Sequence, residues 1–133
     1  MALKISRRDA IRLAGLAAIP AIVPSRVLYA DAPSNMTHVA SIGIGWQGGA
    51  NLNGILRSKG SKVIAVCDVD QKHLDSAAKK VNGRYKNNDC KKFKDFRELL
   101  QLKDLDAVCI STPDHWHSIP AIAAANAKKD IFC

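Results

Sequence analysis

The sequence predicts an α/β fold, a doubly wound parallel sheet, and three observations carry that expectation. From Thr37 onward, apolar runs alternate with stretches of helical periodicity. The first run, His38-Val39-Ala40-Ser41-Ile42, leads directly into a glycine cluster, Gly43-Ile44-Gly45-Trp46-Gln47-Gly48. The second, Lys62-Val63-Ile64-Ala65-Val66-Cys67, ends on an acid, Asp68, 20 residues beyond Gly48.

Taken in order, the first strand is expected at 37–43 and the first helix at 48–58, with Leu52, Ile55 and Leu56 on one face. The second strand covers 62–68. Asp70 caps a second helix at 71–81, which buries Leu74, Ala77, Ala78 and Val81 and stops at Asn82-Gly83. A short strand follows at 90–93. Asp95-Phe96-Arg97-Glu98 reads as a capping box opening a short helix through Leu102. The next strand is 106–111 and the next helix 115–126, with Pro120 in its early turns and Asn126 near its left-handed exit. A further strand begins at Asp130.

The glycine spacing has a chemical meaning. In a strand–turn–helix unit, the residue type at Gly43 permits a sharp turn. The lack of a side chain at Gly45 lets a pyrophosphate approach the backbone, and Gly48 lets the helix pack close to the sheet. The free N–H groups at the helix start and the helix dipole then favour phosphate. A carboxylate at Asp68 accepts both ribose hydroxyls of an adenosine half and repels a 2′-phosphate. The cofactor expected is therefore NAD, with NADP as the alternative. After the strand ending at Ile110, the loop Ser111-Thr112-Pro113-Asp114-His115-Trp116-His117 faces the same crevice.

Composition bounds the rest. The chain has 133 residues, enough for one domain, with 47% hydrophobic and 24% charged residues. Aromatic content of 5% argues against a stacking platform for single-stranded nucleic acid. The net charge of +8 is split between the two parts of the chain: residues 1–30 hold five basic residues against one acidic, and the later basic residues are scattered and read as solvated. No nucleic-acid partner is expected. Cys67, Cys90, Cys109 and Cys133 form no C-x-x-C pair, so no zinc or iron–sulfur site is expected, and the three in strand-like runs read as small buried residues. His115 and His117 lack a third ligand at fitting spacing, so they read as loop-orienting residues and no metal is assigned.

The start of the chain reads as a targeting segment. Ser6-Arg7-Arg8-Asp9-Ala10-Ile11-Arg12 resembles a twin-arginine export signal, followed by a modestly apolar stretch at 13–23 that is too short to span a bilayer. Residues 31–36 read as a linker and 37–133 as the dinucleotide-binding domain. A periplasmic or other extracytoplasmic location is expected, with the twin-arginine machinery as an export partner.

Several segments together resemble the Gfo/Idh/MocA family of oxidoreductases: the glycine cluster, Cys67-Asp68-Val69-Asp70, Phe93-Lys94-Asp95-Phe96-Arg97-Glu98-Leu99-Leu100, Thr112-Pro113-Asp114-His115-Trp116-His117 and Ile131-Phe132-Cys133. The resemblance implies a Rossmann domain joined to an α/β domain that binds a sugar, cyclitol or related substrate. It implies that Gly43, Gly45 and Gly48, with the backbone of Ile44, Trp46 and Gln47, hold the pyrophosphate. Asp68 would hold the adenosine ribose, and Thr112, Pro113 and His117 would line the nicotinamide side. The family follows its last strand with Glu-Lys-Pro, and that lysine does not occur in these 133 residues. The expectation is therefore a C-terminally incomplete Rossmann domain with no catalytic residue assigned. A sugar-like substrate and any oligomer contact would depend on the absent domain. The alternatives are a non-catalytic nucleotide-binding or partner module, and part of an NAD-dependent lyase or glycosidase of the same family.

Overall fold

The computed structural model describes residues 36–133, so the segment read as an export signal and most of the linker lie outside the described residues. Strands Thr37–Ile42 (β1) and Ser61–Cys67 (β2) pair in parallel and are joined by helix Trp46–Arg57 (α1). Helix Gln71–Tyr85 (α2) returns the chain to a short edge strand, Lys91–Phe93 (β3). A one-turn helix, Phe96–Leu99 (α3), carries it back to Ala107–Ile110 (β4), which pairs with the other side of β1. A 3₁₀ turn at Asp114–Trp116 and helix Ser118–Asn126 (α4) lead to Asp130–Phe132 (β5). The strand order is β3-β2-β1-β4-β5 with every pairing parallel, the doubly wound sheet expected.

Because the chain reverses direction of travel between β3 and β4, right-handed crossovers place the helices on opposite faces. On one face Leu52, Leu56, Leu74, Ala77, Ala78 and Val81 pack on Val63 and Val66. On the other, Leu99, Leu100, Leu105 and Ala124 pack on Ala40, Ile42, Ala65, Cys67, Val108 and Ile110. Each fully buried Leu or Val side chain contributes roughly 1.5–3 kcal/mol relative to exposure. A bulge sets which β2 residues reach which face. Val39 pairs with Val63 but Ala40 with Ala65, so Ile64 is extra, and Val63 and Val66 share a face although three apart.

Some boundaries differ from expectation. α1 begins at Trp46 rather than Gly48, because Gly45 already serves as its N-cap. α2 continues through Asn82-Gly83 to Tyr85. Arg84 Nε donates to Leu56 O at 3.1 Å and Tyr85 Oη accepts the Val63 N–H at 3.0 Å, contacts that outweigh the local stop signal. The left-handed exit after α4 falls on Lys128 (φ 57°), not Asn126, with Lys129 N donating to Ala124 O at 3.0 Å. Asp95 does cap α3, its carboxylate accepting the Arg97 N–H at 2.8 Å. Cys67 and Cys109 are buried as expected, but Cys133 is exposed just beyond β5.

Candidate dinucleotide site

β1 and β4 end side by side at Ile42 and Ile110, and the order of the sheet reverses between them. A crevice at the carboxyl ends of such strands is where open α/β sheets bind ligands. The glycine turn leaves one strand and the loop beginning at Ser111 leaves the other. Ser111 N donates to Ile42 O at 2.8 Å and Gly43 N to Cys67 O at 2.9 Å, so both exits are tied to the sheet.

Each glycine of the turn has its own reason. Gly43 has φ 79°, and a Cβ there would lie 2.8 Å from both Ser111 O and Thr112 N. At Gly48 a Cβ would lie 2.0 Å from Gly43 O, so only glycine lets α1 start this close to the turn. Gly45 differs: a Cβ there would meet nothing within 4 Å. The protein leaves space in front of that backbone, which a pyrophosphate can fill. α1 also starts without a side-chain cap and without an acidic residue in its first turn. Its first internal bond runs from Gly49 N to Gly45 O at 2.7 Å, so the preceding N–H groups lack helical acceptors and an anion can take them.

Asp68 does more than the sequence suggests. Its side chain is only 9% exposed. Oδ2 accepts the Ile44 N–H at 2.6 Å and Oδ1 the Asp70 N–H at 2.9 Å, so the carboxylate clamps the glycine turn to the end of β2. A carboxylate has about four acceptor directions, which leaves about two for ribose hydroxyls. His73 Nδ1 stands 3.7 Å from Oδ2. Burial, reinforced by the Asp68 charge, pushes the Cys67 thiol up to about 12. That thiol is neutral near neutral pH and adds no competing negative charge.

The opposite wall is the loop 111–117. Thr112 Oγ1 is buried with no hydrogen-bond partner among the described residues, an orphan hydroxyl that a ribose or carboxamide would satisfy. The Thr112 carbonyl meets His117 Nε2, and His117 Nδ1 lies 3.2 Å from Cys133 Sγ. Pro113 precedes the 3₁₀ turn and sets its entry. Trp116 is half-exposed beside it, whereas Trp46 on the glycine turn is 95% exposed. One residue missed in the sequence joins the walls: Asn51 Nδ2 donates to Ser111 Oγ at 2.9 Å, and the Gln47 side chain steadies it, Nε2 donating to Asn51 Oδ1 at 3.1 Å. The four-residue spacing of Gln47 and Asn51 on α1 was the available signal for that pair.

Fold and site together define a Rossmann-type dinucleotide-binding domain: an uncapped helix start on a glycine turn, a buried acid after the second strand, and an orphan hydroxyl across the crevice. Comparison with known proteins agrees. The profile of the Gfo/Idh/MocA oxidoreductase family, with its NAD-binding Rossmann fold, matches residues 37–133. The chain belongs to this family, whose Rossmann domain binds NAD. It is 29% identical over 144 residues to a glycosyl hydrolase family 109 protein of Solibacter usitatus, covering 96% of this chain and 32% of that protein. It is 31% identical over 104 residues to an α-N-acetylgalactosaminidase of Shewanella oneidensis, covering 73% of this chain and 22% of that one. Among solved structures it is similar to scyllo-inositol dehydrogenase of Lactobacillus casei with bound NAD(H) and scyllo-inositol. That match has a TM-score of 0.65 and 28% identity, covering 73% of this chain and 27% of that chain. The chain thus spans about a fifth to a third of the length of the curated relatives.

Proposed function

We propose that this chain is the cofactor-binding portion of an exported oxidoreductase acting on a sugar, cyclitol or related CH–OH substrate. In this reading the turn Gly43–Gly48 holds the pyrophosphate through the N–H groups at the start of α1. Asp68 holds the adenosine ribose, and Thr112, Pro113 and His117 border the nicotinamide. Bound NAD supplies the hydride acceptor; the chain's own residues position it and exclude water. The observation that carries the reading is the open space at Gly45, facing uncapped helix N–H groups across from the orphan Thr112 hydroxyl. The inositol dehydrogenases among similar structures support the substrate class.

Titration with NAD tests the binding step directly. Trp46 sits at the head of α1 and is almost fully exposed, so bound dinucleotide should change its emission saturably. A Trp116→Phe variant isolates that signal. No saturable response to NAD or NADP would sink the assignment of these residues.

The glycosyl hydrolase names of the curated relatives favour one second reading, an NAD-dependent glycosidase. There NAD would be reduced and reoxidised within each cycle, so NADH would not accumulate with turnover, whereas in a dehydrogenase it would. The export reading rests on Arg7 and Arg8. Replacing both with Lys should stop export of a folded reporter fused to residues 1–36, and undiminished export would remove it.

A further inference from the structure

The domain's excess positive charge is confined to one edge of the sheet. Residues 71–94, which span α2 and β3, hold eight Lys or Arg against Asp75 and Asp89. The remainder, 37–70 and 95–133, holds seven basic residues against eight acidic. Positions 75, 79 and 82 recur at helical spacing and so share one face of α2, with Lys86 just past its end. That face, the loop through Asn87-Asn88, and Cys90 and Lys92 beside the edge strand enclose an open basin of about 680 Å³. None of its lining residues belongs to the glycine turn, Asp68 or the loop 111–117.

Its polar groups are unequally engaged. Lys92 Nζ is paired with Asp75 Oδ1 at 2.7 Å, while Lys79 and Lys86 have no carboxylate within ion-pair distance among the described residues. Asn82 Oδ1 accepts the Cys90 N–H at 3.1 Å, which leaves its NH₂ group to donate elsewhere. Asn87 Nδ2 donates to Asp89 Oδ2 at 2.7 Å, and Asn87 Oδ1 is buried without a donor among the described residues. Turning the amide about its soft terminal torsion, with loss of its bond to Asp89, would present that acceptor to a ligand. The chain turns here through Lys86 in the left-handed region (φ 56°), a conformation that non-glycine residues rarely adopt.

We propose that this basin binds an anionic saccharide, a sugar unit bearing carboxylate or sulfate. Lys79 and Lys86 meet the anionic group, and the Asn82 amide donates to a ring or hydroxyl oxygen. A sugar O–H satisfies Asn87 Oδ1, which a fully ionised phosphate or sulfate group, having no donor, does not. Single-stranded nucleic acid fits less well, because the aromatic residues of this segment, Tyr85 and Phe93, are half-buried and offer no stacking face. The site is independent of the NAD assignment.

Calorimetric titration of the chain with tetragalacturonate, a heparin-derived sulfated disaccharide, maltotetraose, inorganic phosphate and oligo-dT tests it. Saturable binding is expected for tetragalacturonate or the sulfated disaccharide, weakening with salt, and not for maltotetraose. Which of the two binds distinguishes carboxylate from sulfate as the recognised group. The paired substitution Lys79→Glu and Lys86→Glu, both on exposed side chains, should weaken it roughly tenfold, the size expected for reversing two exposed contacts. Thermal melting and the NAD response should be unchanged. Absence of binding by both anionic sugars, equal binding of phosphate or oligo-dT, or unaltered affinity in the double variant would each overturn the proposal.

Discussion

Gly48→Ala is expected to abolish saturable NAD binding and to lower the melting temperature by roughly 10 °C or more. An alanine inside a helix ordinarily stabilises it by about 0.5–1 kcal/mol relative to glycine. Here the new Cβ would stand 2.0 Å from Gly43 O, and the obstructing atom is backbone, which cannot rotate away as a flexible side chain would. Relief requires α1 to move off the turn. That movement breaks the Asn51–Ser111 hydrogen bond joining the crevice walls, and it shifts the helix N–H groups away from the phosphate position. Overpacking costs about 1–3 kcal/mol, and backbone-on-backbone contact belongs at the upper end. In a domain of this size each 1 kcal/mol corresponds to roughly 4–8 °C. Gly54→Ala on the same helix is the internal control. Its Cβ would meet nothing within 4 Å, so that variant should melt at or above the parent temperature and bind NAD normally. The checks are thermal melts by circular dichroism and the Trp46 titration. A Gly48→Ala protein with parental melting and binding would show that the close approach of turn and helix is not required.

Much of this arrangement was legible because local signals and packing agree. Val39–Ile42, Val63–Cys67 and Ala107–Ile110 are apolar runs buried on both faces of the sheet, so they read as interior strands whatever their exact ends. Gly43 and Gly48 were readable from spacing, because the sharp turn and the close packing of helix on turn are backbone demands that only glycine meets, whereas Gly45 is called for only by the proposed pyrophosphate. What escaped depends on partners distant in sequence. Nothing local says that Asn51 will reach Ser111, 60 residues away, or that Tyr85 will hold the end of α2 through Asn82-Gly83. The extra residue at Ile64 is likewise invisible until β1 and β2 pair. The basic edge is a different case. Its lysines looked scattered along the chain, and only the fold brings those of α2 and β3 to one basin.

Replacing Asp68 should separate two roles that this single carboxylate combines. It fastens the glycine turn through the Ile44 N–H, and in the proposed complex it also accepts the adenosine ribose hydroxyls. Asp68→Asn keeps an amide oxygen that can accept the Ile44 N–H but removes the charge. Its NH₂ group turns a donor toward the Asp70 N–H, where the wild-type Oδ1 accepts. Hydrogen bonds to charged groups contribute about 1.5–3 kcal/mol, so NAD affinity should fall roughly 10- to 100-fold. NADP binding should fall much less, or rise, because the carboxylate that repels a 2′-phosphate has gone. The ratio of the two affinities is therefore the informative number, since damage to the turn alone would weaken both dinucleotides equally. Asp68→Ala removes both acceptors and leaves the Ile44 N–H without its partner, so it should also lose thermal stability, by about 1–3 kcal/mol. If Asp68→Asn leaves the NAD-to-NADP ratio unchanged, the buried acid is a structural clamp on the turn, and the preference for NAD must arise elsewhere in the site.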